Sequence, residues 1–343
     1  MIRTLSTALL TMALTGFLIP PQAALAQGAP AILSVLAGPV ERLAAGGALE
    51  PGVNGMSLRE GDRVKTGSGG LALVTFLNGS TVTVLSNAEV TVKQAPTAGG
   101  KSGIRLLIHA GRVWARVVQA AGRASSFTLE SNEYAAVARD GLIGAEQGPD
   151  GFVCWTRRGE LKVMDKSGLT DAVLIAGQRA RGRFGLPITP EPFVASASRL
   201  EIRTSGPVLP VVLMPDSGEA AGFVSGGAEV NQVFGSLTEG GGDRWLVEVP
   251  GGHEGPYTVV LTGTATGPFT VRVSARYVGM NVYRQELKGH ARPGEQLFTR
   301  FTQDVRGSDP RQARVREASF EGLRAWEGPV LASPEDARRP GVN

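Results

Sequence analysis

The residues that could do chemistry in this 343-residue chain are few. His109, His253 and His290 are its three histidines, far apart in sequence, and Cys154 is its one cysteine. A metal centre draws several His, Cys or carboxylate ligands at motif spacing, and a side-chain nucleophile needs an activating base. The spacing offers neither, so no metal, cofactor or catalytic residue is expected. Gly99-Gly100-Lys101-Ser102 ends like a phosphate-binding loop, but Ala95 stands where that motif needs its first glycine. Asp216, Ser217 and Glu219 lack the later glycine and glutamate of a calcium loop. Glu41, Glu60, Asp62, Asp140 and Glu160 leave a glycosidase-type carboxylate pair open, because such residues can meet in the fold alone. Asp62, directly after Gly61, reads as a turn former.

Recognition without chemistry is better represented. On an alternating strand, Trp114 is out of phase with Val113, Ala115 and Val117, and faces outward if those three face a core. The same alternation sets Trp155 with Val153 and Arg157, opposite Phe152, Cys154 and Thr156. Trp114, Trp155 and Arg157 are therefore the candidate partner-binding surface, and Cys154 is expected to be a small buried residue. Arginines gather at Arg157-Arg158 and at Arg179, Arg181 and Arg183. They read as a solvated strand face, with an anionic envelope polysaccharide as the alternative. Basic patches dense enough for nucleic acid are lacking.

The elements that must hold these residues are strands. Leu71 to Phe76, Thr81 to Leu85 and Glu89 to Lys93 alternate with period two, and Asn78-Gly79 marks a hairpin between the first two. Ile104 to His109, Arg112 to Val118, Phe127 to Glu130, Tyr134 to Ala138, Phe152 to Thr156, Glu160 to Met164 and Ala172 to Ile175 continue the pattern. Glycine is about twice its usual share and serves as punctuation between strands. The expected fold is all-β: a first domain over 31–183, β-solenoid-like or an irregular sandwich, and a small immunoglobulin-like sandwich over 207–303. Residues 184–206, with Pro187, Pro190 and Pro192, read as a linker. Residues 304–343 read as a polar tail in which Val315, Phe320, Leu323 and Trp326 would line one face of a short helix.

Arg3 is the one charge before Glu41, an apolar run follows it, Pro20-Pro21 breaks the run, and Ala24-Leu25-Ala26 offers a small-residue cleavage site. That order predicts a signal peptide over 1–26, a mature start at Gln27, and export to the periplasm or beyond. The apolar run is shorter than a bilayer span needs. Removing it with Arg3 leaves 34 of the 35 basic residues against 31 acidic ones.

Leu58-Arg59-Glu60-Gly61-Asp62-Arg63-Val64-Lys65-Thr66-Gly67, then a strand, Asn78-Gly79-Ser80 and another strand, resembles the opening of a FecR-type domain. Leu106 to Val117, Ser126 to Glu130 and Glu160 to Gly177 are similar to its middle and close. Where that family has Arg-Gly-Thr, this chain reads Arg139-Asp140-Gly141-Leu142. Val230 to Gly235 and Gly255-Pro256-Tyr257 through Thr270 resemble secreted pre-peptidase-type β-sandwich modules. The resemblances imply a periplasmic β-domain of the stand-alone kind beside an accessory module. The functional expectation is a non-enzymatic envelope protein that contacts a protein or polysaccharide. Two alternatives stand beside it: a periplasmic signalling component that binds a membrane regulator or receptor, and a polysaccharide-active enzyme with paired carboxylates.

Overall fold

A computed structural model describes residues 31–96, 103–119, 126–183, 185–215, 217–253, 255–306 and 314–327. The expected signal peptide, the Gly99–Ser102 segment and the end of the tail lie outside these residues. The described chain is all-β, as its alternation predicts, and its strands fall into two sandwiches. No helix among the described residues is long and apolar enough to cross a membrane.

In the first sandwich, β1 to β5 are Ala31–Ala37, Val40–Leu43, Leu49–Pro51, Met56–Leu58 and Arg63–Thr66. β6 to β10 are Leu71–Phe76, Thr81–Val84, Glu89–Gln94, Ile104–Val117 and Phe127–Glu130. β11 to β17 are Tyr134–Ala138, Gly141–Gly148, Gly151–Arg158, Leu161–Asp165, Asp171–Leu174, Gln178–Gly182 and Glu191–Pro192. Sheet A runs β4-β1-β6-β7-β9-β12-β13-β16-β17. Sheet B runs β3-β2-β5-β8-β9-β10-β11-β14-β15. All these pairs are antiparallel except β9 with β10, which makes the domain a sandwich and not a stack of solenoid coils. Leu33, Val74, Val90, Leu106, Ile143, Phe152 and Leu161 contribute to one core between the sheets.

β9 belongs to both sheets, its first half in B and its second half in A. The switch falls at Gly111, whose φ is +77° and whose missing Cβ would lie 2.5 Å from Ala88 Cα. Two sequence expectations change here. The segments on either side of Gly111 are one strand, and the Asn78-Gly79 turn is a three-residue loop closed by Phe76 and Ser80, with Gly79 alone at positive φ.

The second sandwich comprises β18 to β22 (Ser198–Ser205, Val208–Leu213, Ala220–Phe223, Glu229–Asn231, Leu237–Gly241) and β23 to β29 (Arg244–Pro250, Tyr257–Gly263, Gly267–Tyr277, Met280–Ala291, Gln296–Arg306, Arg314–Phe320, Arg324–Ala325). Sheet C runs β22-β23-β18-β25-β26, and sheet D runs β21-β20-β19-β24-β27-β28 with β29 also on β27. Leu200, Ile202, Val247, Val271, Val259 and Phe301 meet in its core. Tyr257 is buried at the start of β24, and its hydroxyl donates to the Pro250 carbonyl at 3.1 Å. This bond ties a strand end to the chain seven residues upstream.

Two expected boundaries differ from the structure. Much of the expected linker is ordered against the sandwiches: Ile188 joins the first core, Glu191–Pro192 pairs with β16, and β18 is the middle strand of sheet C. Leu200, Ile202 and Thr204 alternate inward there, a pattern that the three nearby prolines obscure in the sequence. In the expected tail, Val315 and Phe320 lie on a strand paired with β27 and not on a helix.

Candidate functional site

Gly144 is the register partner of both Trp114 on β9 and Trp155 on β13, so the two indoles flank it on the outer face of sheet A. A Cβ at Gly144 would sit 2.3 Å from Trp155 Nε1, so only glycine lets that indole lie down here. Val113, Ala115 and Val117 point into the core and Trp114 away from it, as the alternation requires. Phe152, Cys154 and Thr156 are buried on the inner face in the same way.

Neither tryptophan reaches solvent. Trp114 is 0% and Trp155 3% exposed, because the second sandwich covers them. Phe234, in the loop between β21 and β22, packs edge-on against Trp114 at 5.6 Å and Trp155 at 5.2 Å. Phe193 stacks on Trp155 at 5.6 Å, and the Arg112 guanidinium lies 4.6 Å over the Phe234 ring. Leu85, Leu142 and Leu237 complete a cluster separate from both main cores. Trp114 Nε1 donates to Asn231 Oδ1 at 2.8 Å, and Asn231 is fixed by Ser236 at 2.6 Å and Thr238 at 2.9 Å.

The charges across this junction are paired. Glu229 Oε2 accepts from Arg116 Nε at 3.1 Å and Arg158 Nη2 at 3.0 Å, while its Oε1 accepts from the Thr238 hydroxyl. Burial alone would raise the Glu229 pKa, but Arg158, Thr238 and Arg116 together hold it below the usual carboxylate range. Arg157 Nη2 donates to Glu248 Oε1 at 2.5 Å, and Arg158 Nη1 to the Thr238 carbonyl at 2.6 Å. Trp114, Trp155 and Arg157 thus form a contact surface whose occupant, in this structure, is the chain's own second domain. The Arg157-Arg158 pair, expected on a solvated face, joins the two domains. β21 and the start of β22, at one edge of each sheet of the second sandwich, lie against the first sandwich there.

The other sequence candidates have structural tasks or open positions. Asp62 is buried and accepts from the backbone of Arg59 and Ala45 and from Arg42 Nε and Nη2 at 2.7–3.0 Å. Burial opposes its ionisation, yet the Arg59 N–H, the Arg42 guanidinium and the Ala45 N–H keep its pKa low. Glu60, Asp140 and Glu160 are exposed. His109 lies 2.7 Å from the Thr91 hydroxyl, its pKa lowered by burial and by Arg63. Burial pushes the Cys154 thiol pKa up, which suits an inert core residue. Glu219 hydrogen-bonds Ser217, but its other oxygen is buried without a partner, and burial raises its pKa to about 7. Asp216 lies outside the described residues. Among the described residues no group of three or more His, Cys, Asp or Glu could hold a metal ion.

An open apolar surface lies on the first sandwich at the β14–β15 hairpin. A cavity of about 400 Å³ there is lined by Tyr134, Leu169, Thr170, Leu186 and Pro187. Leu169 is 83% exposed, and Val173, Ile175 and Leu186 are each more than half exposed. Asp165 N–H donates to the Thr170 carbonyl, so the ladder alternates to leave the N–H and C=O of Asp171 and Val173 pointing away from β14. Sequence reasoning named neither this edge nor the second half of the domain junction. Phe234 and Asn231 stand in the Val230–Gly235 stretch, but nothing in it announces what it touches.

The fold defines a two-sandwich all-β protein. No protein-family model and no curated protein matches the chain. Two crystal structures of a "putative anti-sigma factor" from Parabacteroides distasonis ATCC 8503 are similar to it, at 14% and 13% identity. Each match covers 38% of this chain and 59% of that chain, with a TM-score of 0.33. The chain therefore spans less than two thirds of the length of those neighbours.

Proposed function

We propose that this chain is a non-enzymatic, exported cell-envelope protein that holds its partner by strand addition at β15. The observation that supports the reading is the chemistry of that edge. Three other edge strands of the first sandwich are blunted: β3 ends in Pro51, β4 has three residues, and β17 has two, one of them Pro192. β15 instead offers outward backbone groups beside exposed Val173 and Ile175 and an apolar cavity. This is the pairing of main-chain hydrogen bonds with side-chain pockets by which sheets capture extended peptides.

A photo-crosslinker at Val173 of the exported protein, read by mass spectrometry, tests it. One recurrent envelope protein should be captured there and not from a crosslinker at Leu49. Val173→Pro removes the outward N–H and leaves the β14 ladder whole, so it should lower capture of that protein at an adjacent crosslinker at least tenfold. Equal capture from both positions would sink the reading. Capture of a membrane regulator would turn it toward signalling.

A further inference from the structure

The outer face of sheet C carries an arrangement that folding alone does not favour. Arg203 on β18 lies directly opposite Arg272 on β25, and four residues along, Arg199 lies opposite Arg276. Like charges facing each other across neighbouring strands are destabilising. A sheet selected for stability alone would place carboxylates there.

Carboxylates are present but outnumbered. Glu201 is shared by Arg203 at 2.6 Å and Arg276 at 3.1 Å. Glu286 is shared by Arg272 at 2.9 Å and Lys288 at 4.0 Å. Glu248 serves Arg199 at 3.1 Å and, across the junction, Arg157. Each acid thus answers two cations. Arg244 and Arg284 line the same face and make no ion pair among the described residues. Glu239 is the one further acid lining it. The excess positive charge lies along a face that is also hollow. A cavity of about 560 Å³ and a smaller one of about 180 Å³ share Arg203 and Arg272 as lining residues, so they form one groove centred on that arginine pair.

The neutral groups along the groove are hydroxyls and amides, with Leu246 the one aliphatic side chain among the lining residues. Ser205 and Thr270 hydroxyls lie 2.7 Å apart in the larger cavity, and Ser274 and Asn281 line the smaller. Trp245 is the one aromatic residue among those lining it, and its ring turns inward, tilted against Phe223 at 4.4 Å. Stacking bases would need more open aromatic surface, and a bilayer would need apolar side chains to insert. Planar guanidiniums for carboxylates, beside small polar groups for sugar hydroxyls, fit a charged glycan.

We infer that the outer face of sheet C is a binding groove for an anionic polysaccharide, with Arg203 and Arg272 at its centre. The inference is independent of strand addition at β15, and either can fail without the other. The test is titration of the full exported chain with polygalacturonate, against dextran as neutral control and polyglutamate as charge control. Polygalacturonate should bind, weaken as salt rises, and exceed polyglutamate at equal charge. Arg203→Ser with Arg272→Ser should weaken it at least tenfold. Arg276 and Lys288 remain to pair with Glu201 and Glu286, and circular dichroism checks that the sheet persists. Arg179→Ser with Arg181→Ser, the same charge change on the first sandwich, should leave binding within twofold. The inference is overturned by no polygalacturonate binding at low salt, by equal or tighter polyglutamate binding, or by equal losses in the two double variants.

Discussion

The outer faces of sheets A and C are made of the same materials and put them to opposite ends. Each carries arginines and glutamates on neighbouring strands. On sheet A the tryptophans are roofed by Phe234 and Phe193, and Arg116 and Arg158 close on the largely buried Glu229 of the second sandwich. On sheet C the four facing arginines stay part-exposed on an open face, with three carboxylates between them, Glu201, Glu286 and Glu248. Arginine acts as glue where a second domain closes over it and its carboxylate. On a face left open, it remains available to a third party.

The largest way to break that contrast is Trp114→Ala. It removes the ring and the N–H that hold Phe234 and Asn231, at a cost of about 3–5 kcal/mol. Thermal unfolding should change from one transition to two as the sandwiches uncouple, and a single transition at the original temperature would mean that the junction is not built on this residue.

Glu229→Gln follows, at about 2–4 kcal/mol at pH 7, because it leaves Arg116 and Arg158 facing each other without a counter-charge. The Glu229 pKa is depressed in the fold, so its stabilisation is present above the ordinary carboxylate value and is lost as pH falls through the folded value. Urea titrations of parent and variant should therefore converge as pH falls below the ordinary carboxylate range. A gap that stays constant with pH would assign the loss to packing.

Glu219 sharpens the comparison from the other side, as a buried carboxylate with no cation partner among the described residues. Its folded pKa of about 7 exceeds the ordinary value, so the folded state loses stability as pH rises from about 4.5 to 7. Glu219→Gln should be more stable than the parent at pH 8 by on the order of 1–3 kcal/mol, and equal to it below pH 4.5. An identical pH dependence would place the pH-sensitive group elsewhere.

The sequence makes one side of the junction legible and hides the other. Alternation alone turns Trp114 and Trp155 away from the first core, because a strand offers two directions and Val113, Ala115 and Val117 occupy one. What covers them cannot be read the same way. Phe234 is 120 residues downstream of Trp114 and 79 downstream of Trp155, in a loop, and its contact depends on how two finished domains meet. β12 escapes notice for a related reason. Gly141, Gly144 and Gly148 make it look like a turn, yet Gly144 is there because the neighbouring tryptophan needs the space. The facing arginine pairs on sheet C require the register of β18 with β25, which the prolines before β18 disguise.

β9 stands fifth of nine in both sheets of the first sandwich, a single strand at the centre of each. Neither sheet can then be completed, or peeled away, while the other stays untouched. A pull on one end of the domain passes through Gly111 into both layers at once, so the sandwich should resist load and give way as a single mechanical unit.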